Sequence, residues 1–266
     1  VKQVARLRDA GERRITGLTL VDGVRELSRA IASGIEIVEV FVSDDVVRDS
    51  SSRMADRNAC LAACAARGAE VISLGPRPFA KVAFGDRNEG VVGVVRFSPR
   101  GLADVKIDAG KPVLVAEGVE KPGNLGAILR TADAAGLAGV IACDPRTDVA
   151  NPATIRASLG TVFSVPLAVA TTADTIAWAV ATSRRVIVAT PVGSRPWHDV
   201  DLSGNTLLVV GSEAEGVSSA WFEASKASTI ALETIHLPMH GIADSLNVSV
   251  TAAVLAYEAL RQEGVR

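Results

Sequence analysis

Three stretches of the chain carry polar residues at spacings that could do chemistry. The first, Glu117-Gly-Val-Glu-Lys-Pro-Gly-Asn-Leu-Gly-Ala-Ile-Leu-Arg-Thr-Ala132, reads as a strand, a Gly/Pro loop and the start of a helix. Backbone N–H groups at such a junction can receive an anion. Arg130 lies about two turns into that helix, which is expected to bring it and Asn124 toward one edge of the sheet. The second, Val209-Val-Gly-Ser-Glu-Ala-Glu-Gly216, is a buried strand breaking into a tight turn. Gly211 permits close backbone approach there, and Glu213 and Glu215 stand at a carboxyl end of the sheet, where open α/β folds place ligands. The third, Leu237-Pro-Met-His-Gly-Ile-Ala-Asp-Ser-Leu-Asn-Val-Ser-Val250, offers Asp244 or Ser245 as a helix cap, with Asn247, Val248 and Ser249 in the first turn. Polar residues packed this closely behind a Pro-Met loop suit a pocket for something small and polar. Each stretch alone is also what a plain loop or cap looks like; the three together carry the reading.

The elements that must position these residues alternate along the chain. In the first hundred residues the pattern predicts strands over 18–21, 35–43, 70–74 and 90–97. Helices are predicted over 24–32, closed by Ser33-Gly34, and over 54–67, while Pro76-Arg77-Pro78 predicts a turn. Residues 1–98 thus read as one small α/β domain, 99–111 as a polar Gly/Pro linker and 112–266 as a second α/β domain. In that second domain strands are expected over 113–117, 139–143, 185–190 and 206–211, and helices over 124–135, 152–159, 173–183 and 246–261. Near-continuous apolar strands such as Val-Leu-Val-Ala and Leu-Leu-Val-Val imply burial on both faces, as in a parallel sheet.

Composition narrows the function classes. The 266 residues are 48% hydrophobic and 22% charged, which excludes a disordered or low-complexity chain. The net charge of −2 argues against a strongly basic polyanion binder, but the halves differ. Residues 1–100 carry 16 Lys and Arg against 13 Asp and Glu, and the remainder 12 against 17, so a polyanion should meet the N-terminal part first. No apolar run reaches the roughly 18 residues of a membrane span, and no signal-peptide pattern opens the chain, so a cytoplasmic location without membrane contact is expected. Cys60, Cys64 and Cys143 cannot make a disulfide framework. His236 and His240 flank Pro238 with no third ligand near, so no metal site is expected. Neither G-x-G-x-x-G, a Walker loop nor a G-x-S-x-G nucleophile elbow is present, which disfavours a dinucleotide oxidoreductase, a P-loop enzyme and a serine hydrolase.

In order and spacing, Pro122–Ala132, Gly211–Gly216 and Leu237–Val250 closely resemble the three signature motifs of the SpoU/TrmH (SPOUT) family of RNA ribose 2′-O-methyltransferases. Leu20-Val-Asp-Gly-Val-Arg25 and Asn88-Glu-Gly-Val-Val-Gly93 resemble, more loosely, the start and end of the family's substrate-binding domain, with Asp22 where many relatives have Glu and Glu89 where many have Gln. The resemblance implies an α/β catalytic domain with a C-terminal trefoil knot behind a small RNA-binding domain. It implies S-adenosylmethionine as cofactor and a homodimer whose active site borrows residues across the interface. By position, Thr190, Gly211, Glu213, Leu237, Met239, Leu246 and Asn247 would line the cofactor pocket. Arg130 would be the catalytic arginine, surrounded by Asn124, Glu213, Ser245 and Asn247. A guanidinium with a pKa above about 12 is a poor proton acceptor, so Arg130 is expected to hold the adjacent phosphate and stabilise alkoxide charge, with Ser245, Glu213 or water taking the proton. Arg13, Arg14, Arg25 and Arg87 are the expected RNA contacts. The domain order resembles the ribosomal-RNA branch, making 23S rRNA the expected substrate. Some relatives protect ribosomes from antibiotics; housekeeping modification of rRNA or tRNA is the alternative, and a non-catalytic RNA-binding module is a third.

Overall fold

The computed structural model describes residues 1–44, 51–84 and 89–264. Along the chain run α1 (Lys2–Arg6), α2 (Ala10–Thr16), β1 (Leu18–Asp22), α3 (Val24–Ala32), β2 (Ile37–Ser43), α4 (Ser51–Ala66), β3 (Glu70–Leu74), α5 (Pro76–Val82) and β4 (Val91–Arg96). These are followed by β5 (Val113–Glu117), α6 (Pro122–Ala134), β6 (Gly139–Cys143), α7 (Pro152–Ala157), β7 (Leu167–Ala170), α8 (Thr172–Ala181), β8 (Arg185–Ala189) and β9 (Arg195–Pro196). The last four are β10 (Thr206–Val210), α9 (Ser219–Lys226), β11 (Leu232–His236) and α10 (Val248–Gln262).

The chain divides into two compact units, Val1–Ser98 with Asp148–Ser164, and Pro99–Thr147 with Val165–Arg266. The first unit holds a four-stranded sheet in the order β1-β4-β2-β3, with β2 and β3 parallel and the other pairs antiparallel. Its core gathers Leu20, Phe41, Phe79, Val82 and Val92. Two features differ from the sequence reading. Pro76 occupies the first turn of α5 instead of making a turn, because a helix's opening residue needs no N–H partner. The charged N-terminus forms α1 and α2, the latter capped by Asp9, whose carboxylate accepts from the Gly11 and Glu12 amides.

Asp148–Ser164, which sequence periodicity assigns to the second domain, packs within the first unit. Thr19 Oγ1 donates to Ala150 O at 2.6 Å and Arg29 Nη1 to Leu159 O at 2.8 Å. The Phe97 and Phe163 rings meet edge to face at 5.1 Å. Residues 99–111 belong to the second unit: Arg184 donates to the carbonyls of Asp108 and Lys111 at 2.8 and 2.9 Å, and Val169 N–H donates to Arg100 O at 2.8 Å.

The second unit is built on a seven-stranded sheet, all parallel, in the order β7-β6-β5-β10-β8-β11-β9. Every residue of β5, β6 and β10 is buried, as the doubly apolar strands require. One core layer includes Val113, Val115, Ile141, Val186, Leu207 and Trp221. The strand order matters more than the strands themselves, because β5, β10, β8 and β11 are neighbours although β5 and β11 lie far apart in sequence. Their carboxyl-end loops therefore meet. Among the described residues no helix is long and apolar enough to cross a membrane.

Candidate active site at the carboxyl ends of four parallel strands

The loop after β10 closes on itself. Ser212 N–H donates to Gly216 O at 3.1 Å and Gly216 N–H to Ser212 O at 3.0 Å. A Cβ on Gly211 would lie 2.2 Å from the Gly216 carbonyl carbon, so only glycine fits. After β8 the chain turns through Gly193, where a Cβ would lie 2.2 Å from the Ile235 carbonyl carbon. His236 faces this crossing, its Nδ1 2.8 Å from Gly193 O, and is used there in packing loop against strand. Among the described residues no group of His, Cys, Asp and Glu is arranged to hold a metal.

These loops and the one after β11 enclose a cavity of about 530 Å³, within the size range of small-ligand sites. Thr190, Gly211, Glu213, Leu237, Met239 and Leu246 line it, together with Ser245, Asp244 and Thr251. Asn247 stands at its rim instead of in its wall. Its side chain is the cap of α10, Oδ1 accepting from Ser249 N–H at 2.9 Å. Asp244 and Ser245 are thus left to the loop, three and two residues too early for the cap.

Beside the cavity Asn124, Glu213 and Asn247 form one hydrogen-bonded cluster. Glu213 Oε1 accepts from Asn247 Nδ2 at 2.7 Å and from Asn124 Nδ2 at 3.1 Å, and Asn247 Nδ2 lies 3.2 Å from Asn124 Oδ1. Lys121 Nζ donates to Glu213 Oε2 at 2.8 Å. The Lys121 ammonium, by hydrogen bond and by charge, together with the hydrogen bond from the Asn124 amide, holds the Glu213 carboxyl below the ordinary range against partial burial, and Glu213 in turn raises Lys121. Glu213 therefore fixes the two amides and stays an anion, which suits orientation better than proton uptake at neutral pH. Lys121 was not singled out from sequence; the signal is its place immediately before Pro122, which opens α6 and so sets Lys121 beside Asn124. A second set of ion pairs joins Arg146 to Glu120 at 2.8 Å and to Glu215, tethering the same loop at its other carboxylate.

Arg130 is not brought to this cluster. It is exposed on α6, makes no hydrogen bond or ion pair among the described residues, and lines no part of the cavity. Six residues of helix turn its side chain about 240° from Asn124 and carry it about 9 Å along the axis. Among the described residues no hydrogen bond joins the two side chains, Asn124 being bonded to Glu213 and Asn247. Helix α10 packs on α6 and exposes Val250 and Tyr257, with Val254 half-buried between them.

In the first unit the expected RNA contacts separate. Arg13 is buried: its guanidinium donates to Asp148 at 2.7 Å and to the carbonyls of Leu7 and Arg8 at 2.9 and 2.8 Å. It is a structural residue with no face for a polyanion, a correction to the charge-based expectation. Arg14 is exposed, Arg25 is half-exposed and paired with Glu26 at 2.9 Å, and Arg87 lies outside the described residues.

Comparison with known proteins places this geometry. Residues 111–257 match the SpoU rRNA Methylase family and residues 1–93 the MRM3-like substrate binding domain. The 23S rRNA (adenosine(1067)-2′-O)-methyltransferase of Streptomyces laurentii is 31% identical over 94% of this chain and 88% of its own. The 23S rRNA (guanosine(2553)-2′-O)-methyltransferase RlmP of Bacillus subtilis is 27% identical over 97% and 94%. Among solved structures, the SpoU methyltransferase AviRb from Streptomyces viridochromogenes in complex with the cofactor AdoMet superposes with a TM-score of 0.86, at 26% identity over 100% of this chain and 98% of that one. With two motif loops walling one cavity, the first motif joined to them through Asn124 and Glu213, and the match running through most of its length, this chain belongs to the SpoU rRNA methylase family.

Proposed function

We propose that the protein transfers a methyl group from S-adenosylmethionine to a ribose 2′-hydroxyl of 23S rRNA. The observation that carries this reading is the Asn124–Glu213–Asn247 cluster on the rim of a cavity walled by loops from β8, β10 and β11. The cavity suits the cofactor: apolar Leu237, Met239 and Leu246 face polar Thr190, Ser245 and the backbone around Gly211. When bound, S-adenosylmethionine supplies a sulfonium methyl already activated for attack by oxygen. The chain's task is then alignment, which removes translational freedom and is worth several kcal/mol (about 7 or more in favourable cases).

Arg130 serves the site of a partner subunit in this reading. The protein is a homodimer through α6 and α10, whose exposed Val250 and Tyr257 supply an apolar contact. Across that interface Arg130 holds the substrate phosphate and stabilises alkoxide charge, with water receiving the proton, directly or relayed through the Ser245 hydroxyl. The last three crossovers, through β8, β10 and β11, are the segments read as the trefoil knot. The first unit recognises RNA, through Arg14 and Arg25 among others, and a ribosomal substrate puts the protein in the cytoplasm.

The test is transfer of labelled methyl from S-adenosylmethionine to 23S rRNA, followed by mapping of the modified ribose through stalled reverse transcription at limiting nucleotide. One new 2′-O-methyl stop is the expected result; label in a base, or none, contradicts the reading. The mapped nucleotide, with antibiotic susceptibility of a host expressing the protein, separates a resistance role from housekeeping.

A further inference from the structure

We propose that Glu117 is the positioning residue for the cofactor loop Gly211–Ser218, an inference that rests on the function proposed above. Glu117 ends β5, is buried, does not line the cavity described above and makes no ion pair among the described residues. Four donors converge on it. Oε1 accepts from Thr172 Oγ1 at 2.6 Å and Ser218 Oγ at 2.7 Å; Oε2 accepts from Ser218 N–H at 3.0 Å and Trp221 Nε1 at 3.2 Å. The upstream end of the loop is fixed by β10 and its middle by the Ser212–Gly216 bridge. Its downstream end, Ser218, opens α9, and this carboxylate ties it to β5 and to the first turn of α8. The wall containing Ser212, Glu213 and Glu215 is thereby anchored at both ends.

The donor set also states which replacement should serve. Ser218 N–H and Trp221 Nε1 can only donate, whereas the Thr172 and Ser218 hydroxyls can donate or accept. Thr172 has one hydroxyl proton and two carboxylate oxygens in reach, Glu117 Oε1 and Asp144 Oδ2 at 2.8 Å. A glutamine at 117 can turn its oxygen to Ser218 N–H and Trp221 and its NH2 to the two hydroxyls, freeing the Thr172 proton for Asp144. Leucine fills the volume, leaves Ser218 N–H, Ser218 Oγ and Trp221 Nε1 without this acceptor, and passes the Thr172 proton to Asp144.

The experiment compares the full-length wild type with Glu117→Leu, Glu117→Gln and Ser218→Ala by hydrogen exchange and by calorimetric titration with S-adenosylmethionine, below each melting transition. In Glu117→Leu the amides of 211–218 are expected to exchange roughly tenfold faster while β5 and β10 stay protected, and cofactor Kd to rise roughly tenfold. Glu117→Gln restores both to within about twofold. Unchanged exchange in a folded Glu117→Leu, or a glutamine no better than leucine, overturns the proposal. Should the leucine variant not fold, Ser218→Ala carries the same readouts at about threefold amplitude, and its indifference overturns the proposal equally. A wild type that does not bind S-adenosylmethionine defeats the functional reading instead, and exchange alone then decides the role of Glu117.

Discussion

Asn247 holds two structures together with one side chain: its Oδ1 caps α10 through the Ser249 amide while its Nδ2 donates to Glu213 Oε1 at 2.7 Å. The cap fixes which way the amide faces, and so presents a donor, not an acceptor, to the Glu213 carboxylate. Substituting Asp keeps the cap and reverses the second contact.

Asn247→Asp is accordingly expected to melt within about 3 °C of the wild type, since Asp and Asn cap helices equally well. Two carboxylates then face one another beside the cavity, and methyl transfer should fall on the order of tenfold or more. Asn247→Ala loses cap and contact together and should cost about 1 kcal/mol in stability as well. Thermal melts beside a labelled-methyl assay separate the two variants; an inactive but equally stable Ala variant would contradict the dual role.

Arg130 is exposed and makes no hydrogen bond or ion pair among the described residues, so Arg130→Ala should leave stability within about 0.5 kcal/mol. Cofactor affinity should be nearly unchanged and methyl transfer abolished. Mixing inactive Arg130→Ala with the weakly active Asn247→Asp and re-equilibrating the subunits should return about a quarter of wild-type activity, because half the dimers are mixed and each has one intact site. No recovery on mixing would place Arg130 outside a shared site.

The Asp22 carboxyl predicts an unusual pH response. Burial pushes its pKa from 3.8 up to about 6, the Phe84 amide and Arg156 opposing and Glu89 and Glu26 adding to the rise. The folded chain keeps this proton to higher pH than the unfolded chain does, so the stability it brings is full below about pH 4 and lost as pH rises through about 6. Asp22→Asn mimics the neutral carboxyl and should exceed the wild type by on the order of 2 kcal/mol at pH 7.5 and match it at pH 4. Urea titrations at the two pH values check this; a variant less stable at pH 7.5 would refute it.

Arg13 and Arg14 are adjacent and should behave oppositely. Arg13→Met strands the Asp148 carboxylate and two carbonyls, at a cost of about 3 kcal/mol. Arg14→Ala should be neutral for stability within about 0.5 kcal/mol and weaken RNA binding, with the salt slope smaller by about one. Denaturation and filter binding at several salt concentrations distinguish them.

What could be read from the residues follows from which forces act locally. Strands β5 and β6 were bounded correctly because both faces are buried and the apolar runs end where burial ends. Strand β11 escaped notice because Leu-Glu-Thr-Ile-His is short and mixed, and forms only because β8 and β9 offer partners on either side. Gly211, Glu213, Leu237, Met239 and Leu246 are legible as the lining of one cavity because each lies in a motif contiguous in sequence. Lys121 and Glu117 lie within a motif yet carry no signal of their own there, since their importance lies in partners 92 and 101 residues away. The burial of Arg13 was hidden for the same reason: charge is visible in sequence, whereas the Asp148 that neutralises it comes from 135 residues downstream.

That distant partnership bears on how the molecule is made. The first unit draws on Asp148–Ser164 for Ala150, Leu159 and Phe163, so its native contacts cannot all form while only the first hundred residues have left the ribosome. Vectorial synthesis gives an immature N-terminal body that waits until Ser164 emerges, with much of the parallel sheet still unmade behind it. A gene fragment cut at residue 98 yields the same unfinished body permanently, lacking α7 and the acid that satisfies Arg13.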